Sequence, residues 1–178
     1  MKKLRLAILF AVSTITYAQE ALEATATVQF KAKGGGMNVV FFSSTETEPC
    51  EGPSRAAGVY DAELLRAKLL PFIAKLTEKA HLRTGFHPEA EVSVMAGMPI
   101  QVLGESKWAG SSGNMHYRGS CGPFTKQFTP EAGHKYLVEF RFSGSSCAQG
   151  IADVTDVENP RLVQSQVLEC KVPFQLLR

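Results

Sequence analysis

The side chains able to do chemistry in this 178-residue chain are its cysteines, histidines and methionines, and their spacing restricts what they can do. Cys50, Cys121, Cys147 and Cys170 form no Cys-x-x-Cys pair, so the chain carries neither a dithiol redox motif nor a zinc knuckle. An even number of distant cysteines reads instead as two structural disulfides, with three possible connectivities. His81, His87, His116 and His134 are scattered without metal-ligand spacing and read as surface residues. Met95, Met98, Met115 and His116 are the one set offering the thioether and imidazole donors that hold copper, which makes copper handling the alternative to a structural reading. Met37 and Met98 equally suit a core or a strand end. No cofactor is expected. The chain has no Gly-x-Ser-x-Gly elbow, no phosphate loop and no His-Glu-x-x-His; Gly110-Ser111-Ser112-Gly113 comes nearest and has the wrong spacing. Asp153, Asp156 and Glu158 precede Pro160 and read as solvated turn charge.

Recognition has a better candidate than catalysis. Residues 104–122 are rich in Gly and Ser and carry the only Trp of the chain. A loop of that length in a compact domain is uncommon and is often functional. Trp108, His116, Tyr117 and Arg118 supply the residue types of a binding hot spot. Alternatively, Trp108 ends a strand and plugs the rim of the fold, with residues 115–118 forming another strand.

The compartment follows from the first 18 residues. Lys2, Lys3 and Arg5, an apolar run at 6–12 and the closing Thr16-Tyr17-Ala18 have the order of a secretory signal peptide cleaved after Ala18. The run is shorter than the about 20 residues of a membrane span, and no later stretch reaches that length. Removing the leader's three cations takes the net charge from +2 to −1. A nearly neutral chain has no electrostatic footprint for nucleic acid. No Cys follows the cleavage site, so lipid attachment there is not expected. The expectation is a periplasmic or secreted chain in an oxidising compartment, with no transmembrane segment.

The elements that would position these residues are mostly strands. Ala26, Val28, Phe30 and Ala32 alternate with polar residues, Gly34-Gly35-Gly36 follows, and residues 37–42 are again apolar, which predicts a hairpin. Val92 and Val94 precede a turn at Gly97, then Ile100 and Val102; Tyr136, Val138, Phe140 and Phe142 give the clearest alternation. Shorter strands are expected at 151–155, 161–168 and 171–177. A second hairpin is predicted from 124–129 and 136–142 about the Pro130-Glu131-Ala132-Gly133 turn. It would bring Cys121 and Cys147 together at its open end and leave Cys50 to pair with Cys170. Seven to nine strands separated by Gly and Pro turns predict a mainly β fold, an antiparallel, immunoglobulin-like β-sandwich in one domain spanning 19–178.

One helical insertion, around 62–80, interrupts this pattern. Ala62, Leu65, Leu69, Phe72, Ile73, Leu76 and Ala80 have helical spacing, Asp61 is placed as N-cap, and Pro71 must break or kink the middle. Helix is expected at 72–80, while 62–70 stays open between helix and strand. The insertion is expected to cover one face of the sandwich; Arg66, Lys68, Lys75 and Lys79 on its polar side keep a membrane or partner helix as the alternative.

The Ala96-Gly97-Met98-Pro99 stretch, the run Phe128-Thr129-Pro130-Glu131-Ala132-Gly133-His134-Lys135-Tyr136 and the four cysteines together resemble a set of small, uncharacterised exported proteins and lipoproteins of Gram-negative bacteria. The resemblance spans about residues 26–172. It implies a β-sandwich and supplies no catalytic residues. Many such relatives carry a lipidated Cys after the leader, which this chain lacks. The functional expectation is a non-catalytic periplasmic binding or envelope-assembly module presenting the 104–120 loop to an envelope protein or polymer. The alternatives are a copper-handling or small-ligand-binding protein and an inhibitor-like domain that covers an enzyme's cleft.

Overall fold

The computed structural model describes residues 24–170, so the leader, its cleavage after Ala18 and the strand expected at 171–177 lie outside the described residues. Among the described residues, ten strands form two five-stranded sheets. The first holds, in spatial order, β4 (Glu89–Met95), β1 (Thr25–Lys33), β7 (Lys135–Ser143), β8 (Ser146–Asp153) and β9 (Arg161–Leu162). The second holds β10 (Gln166–Leu168), β6 (Met115–Phe128), β5 (Ile100–Ser112), β2 (Val39–Ser44) and β3 (Ser54–Val59). The fold is a β-sandwich, as the alternation predicted.

Its core is the inward face of each period-two strand. Val28, Phe30, Val138 and Phe140 of the first sheet are fully buried against Val39, Phe41 and Val102 of the second. The Phe30 and Phe41 rings lie 4.8 Å apart, and Phe41 meets Phe140 edge-on at 6.4 Å. Gly104 lies under these rings, where a Cβ would collide with Phe41 and Gln149. Each such buried Val or Phe contributes about 1.5–3 kcal/mol through the water it leaves.

Both predicted hairpins are corrected. β1 and β2 lie in different sheets, as do β6 and β7, and the glycine turns at 34–36 and 130–133 carry the chain across the sandwich. The physical reason is that both flanking strands bury an apolar face, and two such faces are satisfied by stacking face to face as well as by pairing edge to edge. The turn at Gly97 also crosses between sheets. It packs against the crossing at 130–133, with the Gly97 N–H donating to the Pro130 carbonyl at 2.8 Å and the Gly133 N–H to Thr25 at 2.8 Å. Tyr136 locks this end, its hydroxyl accepting the Glu131 N–H at 2.9 Å, in the manner of the tyrosine corners of sandwich folds. The 96–99 and 128–136 stretches are thus two crossings packed against each other at one end of the sandwich. The consecutive strands that do pair antiparallel are β2–β3, β5–β6, β7–β8 and β8–β9. A second correction is that β1 pairs with β7 in parallel, so the sandwich is not wholly antiparallel.

The insertion is two helices, α1 (Ala62–Lys68) and α2 (Pro71–Arg83), rather than one, and it runs three residues further than 80. Pro71 starts α2, where its missing N–H costs nothing. Asp61 caps α1 as expected: its carboxylate accepts the Leu64 N–H at 2.8 Å and, with the other oxygen, the Gly34 N–H at 2.7 Å. No helix among the described residues is long and apolar enough to cross a membrane.

The cysteines pair as Cys121 with Cys147 and Cys50 with Cys170. The pairing is the expected one but its geometry is different: Cys121 on β6 and Cys147 on β8 join the two sheets rather than the open end of one hairpin. Cys50 lies in a loop wound around the buried Gln101, which donates to the Glu46 and Glu48 carbonyls and accepts the Cys50 N–H.

Candidate functional site

The sequence 104–122 is not a loop: the alternative of a strand at 115–118 is the one observed, and the strand carrying Trp108 runs on past it to Ser112. It forms the distal part of the β5–β6 hairpin, closed by a tight turn at Gly113-Asn114. Within the sandwich, β2 flanks β5 at residues 101–105 and β10 flanks β6 at 125–127. Beyond that point, residues 107–120 continue as a two-stranded arm of six residue pairs, about 20 Å long at the ordinary rise per residue.

The arm's root is fixed on both strands. The ladder shifts register between Gly104 and Ser106, and such a bulge re-aims the strands at that point. Ser106, fully buried, donates through Oγ to the Asn38 carbonyl at 2.7 Å. Directly opposite, Cys121 is bonded to β8. Glu105, also buried, is neutralised by Lys107 Nζ at 2.9 Å.

A two-stranded ribbon alone is marginal in water, so the arm needs its own packing. It comes from two aromatic rings laid over glycines. Trp108 is paired with Gly119 and Tyr117 with Gly110, and a Cβ on either glycine would run into the ring opposite. The rings cover bare backbone on the cross-strand neighbour, the device by which aromatics rescue glycines in sheets.

Strand alternation sorts the candidate binding residues onto two faces. Trp108, Tyr117 and Met115 share one face with Gly110 and Gly119; Lys107, His116 and Arg118 share the other. The predicted set of Trp108, His116, Tyr117 and Arg118 is therefore one hairpin but two surfaces. The aromatic face continues the side of β5 on which Val102, Gly104 and Ser106 look into the core. Past the root, that side is left open: Tyr117 is 57% and Met115 72% exposed.

The copper set is not assembled. Met95 and Met98 sit at the end of β4 and in the crossing that leads to the start of β5, whereas Met115 and His116 follow its far end, a full 13-residue strand or about 40 Å away. No cluster of three or more His, Cys, Asp or Glu residues is arranged for a metal among the described residues. Two of the histidines expected at the surface are engaged instead. His134 Nδ1 lies 2.7 Å from the Asp153 carboxylate. Partial burial would raise the pKa of Asp153, but hydrogen bonds from Thr155 and His134 outweigh it and hold the group below the usual carboxylate range. His81 stacks on Tyr60 with ring centres 4.3 Å apart. Burial lowers its pKa, favouring the neutral ring.

Two further surfaces escaped the sequence reading. A cleft of about 560 Å³ opens between β6, β10 and β8, walled by Phe124, Ala148 and Leu168. Gln149 also lines it, but its buried amide nitrogen donates to the Val102 carbonyl of the adjoining strand. The second is the helix pair, which does not cover the sandwich as expected. Only Ala62 and Ala74 are buried, and the large apolar residues Leu70, Phe72 and Leu76 are 64%, 64% and 62% exposed. The signal was available in the helical wheel: Ala74, Glu78 and His81 fall on one side of α2 and Phe72, Leu76, Lys79 and Arg83 on the other.

The chain matches no protein-family model, no curated protein and no solved structure.

Proposed function

We propose that this chain is a non-catalytic binding module of the bacterial envelope, exported by a leader cleaved after Ala18, that captures a partner protein or envelope polymer on the aromatic face of the β5–β6 arm. The observation that carries this reading is the uncovered continuation of the core-facing side of β5 and β6 beyond the sandwich, bearing Trp108, Tyr117 and Met115. Such a surface gains most when a partner covers it, since it presents rigid aromatic area whose ordering cost the glycine packing has already met. Most of the rest of the arm is Gly, Ser, Asn and Arg, the adaptable polar background of binding loops, with Lys107, Ala109 and His116 beside them. The root, clamped by Ser106 and by the Cys121–Cys147 bond, supplies the rigid scaffold from which such a surface works. Two disulfides suit an oxidising compartment and agree with export.

The test is a Trp108→Ala, Tyr117→Ala double variant. It keeps the sandwich folded, with a melting temperature close to the parent's, and loses capture of the partner recovered with the parent protein. Capture by the folded variant at the parent's level contradicts the reading. The small-ligand alternative has its own support in the 560 Å³ cleft, a volume that suits a small molecule. A stoichiometric small molecule retained after purification, and released by Leu168→Trp, would favour it.

A further inference from the structure

We propose that the corner between α1 and α2 docks on a lipid bilayer surface rich in anionic headgroups. This goes beyond the partner contact of the arm and rests on different residues. Leu69, Leu70, Phe72, Ile73 and Leu76 form one exposed apolar patch where the two helices meet. Patches of this kind on an otherwise well-buried fold mark an interaction surface.

Charge selects the occupant. Lys68 precedes the patch, Lys75 and Lys79 flank Phe72 and Leu76 on α2, and Arg83 follows on the same side. Among the described residues none of these four has an ion-pair partner, whereas Arg66 and Glu78 neutralise each other across the two helices at 2.6 Å. The corner therefore presents large apolar side chains ringed by uncompensated cations, the pattern of a helix lying in the headgroup layer of an anionic membrane. Lysine stems can lie along such an interface with the ammonium among the phosphates. A protein partner is a poorer fit, because lysine is depleted in the cores of protein interfaces. A second copy is poorer still: a two-fold contact through this corner would set Lys75 and Lys79 against their own equivalents.

Docking would place the attachment at one side of the sandwich. α2 is held to the body by Ala74 and by the His81–Tyr60 stack, so its outer side can meet a membrane without unfolding anything.

The experiment is vesicle flotation of protein recovered from the periplasm, using phosphatidylcholine vesicles with and without phosphatidylglycerol. The expected result is flotation with the phosphatidylglycerol vesicles, falling as salt is raised, and about tenfold weaker in Leu70→Ser, Phe72→Ser and in Lys75→Gln, Lys79→Gln. The charge variant keeps every apolar contact, so the test stands even if the serine variant folds poorly. Absence of flotation from either vesicle, or flotation that both variants leave unchanged, would overturn the proposal. So would a dimer of the parent protein that the serine variant returns to monomer. Trp108→Ala, Tyr117→Ala is expected to float like the parent, which separates this proposal from the partner reading of the arm.

Discussion

The arm and the helix pair both expose large apolar side chains at the margin of the same sandwich, yet they are attached in opposite ways. The arm is rooted by a covalent bond, a buried hydroxyl and a bulged β ladder, and its rings pack on its own glycines. The helix pair is held by a capping carboxylate, a single ring stack and two buried alanines, and its large apolar residues face outward. The lesson is that exposure alone does not define a surface's work. Rings over glycine make a rigid plate suited to a shaped partner; side chains ringed by lysine make a soft patch suited to a fluid one.

Cutting the root is the strongest way to break this contrast. Replacing Cys121 and Cys147 with Ser should cost about 3.5 kcal/mol, the chain entropy of a loop of that length, and should raise amide exchange in residues 107–120. Replacing Cys50 and Cys170 should cost more, about 5 kcal/mol, because the closed loop is longer, yet leave exchange in the arm unchanged. Urea unfolding and hydrogen exchange on the two variants check both halves. Equal loosening of the arm in both would show that the root is not local.

On the helix side, Asp61→Ala should cost about 2 kcal/mol, since the N-cap is lost and the Gly34 N–H at the β1–β2 crossing loses its acceptor. Thermal melts report the loss, and exchange should rise in α1 and not in the arm. A smaller effect is expected from Gly119→Val. Its side chain displaces the Trp108 ring, so the emission of the only tryptophan should shift to the red while global stability changes by about 1 kcal/mol or less. An unshifted spectrum would mean the ring does not lie on the glycine.

The smallest effect is a pH dependence. Burial sets the His81 pKa below its ordinary value of 6.5, so the folded state favours the neutral ring. The unfolded chain then binds more protons in that window, and stability from this stack is full above pH 6.5 and lost as pH falls through the folded value. Amides of α2, corrected for intrinsic exchange, should open faster in mild acid, and His81→Phe should abolish the dependence. The arm, which lacks a comparable buried group, should not respond.

Much of this was legible in the residues. Alternation at Ala26 through Ala32 and at Tyr136 through Phe142 identified the central strands; Asp61 reads as an N-cap and Pro71 as a break, though not as the first residue of a second helix. What failed was the pairing in the two predicted hairpins. A Gly or Pro turn between two amphipathic strands reads the same whether the chain folds back in one sheet or crosses to the other, and only the packing of Phe30 on Phe41 decides. The arm was legible only in part: the strand alternative at 115–118 is the one observed, but Gly110, Ser111, Ser112 and Gly119 have loop composition and hid the rest. Their strand character comes from the cross-strand aromatics, a pairing that appears only once the register is known. In the helix pair, Leu69, Phe72, Ile73 and Leu76 were counted as an apolar stripe facing the sandwich, although it is Ala74, on the opposite side of α2, that is buried and the large residues that face outward.

The central claim is that the aromatic face of the arm is where a partner is bound. The most direct measurement places a photo-crosslinking amino acid in turn at Tyr117, at Arg118 on the opposite face and at Val157, an exposed residue of the loop between β8 and β9, in cells producing the protein. The account predicts a discrete adduct from position 117, absent from 157 and weaker from 118. An adduct from 118 or 157 with none from 117, or no adduct at any of the three, would contradict it.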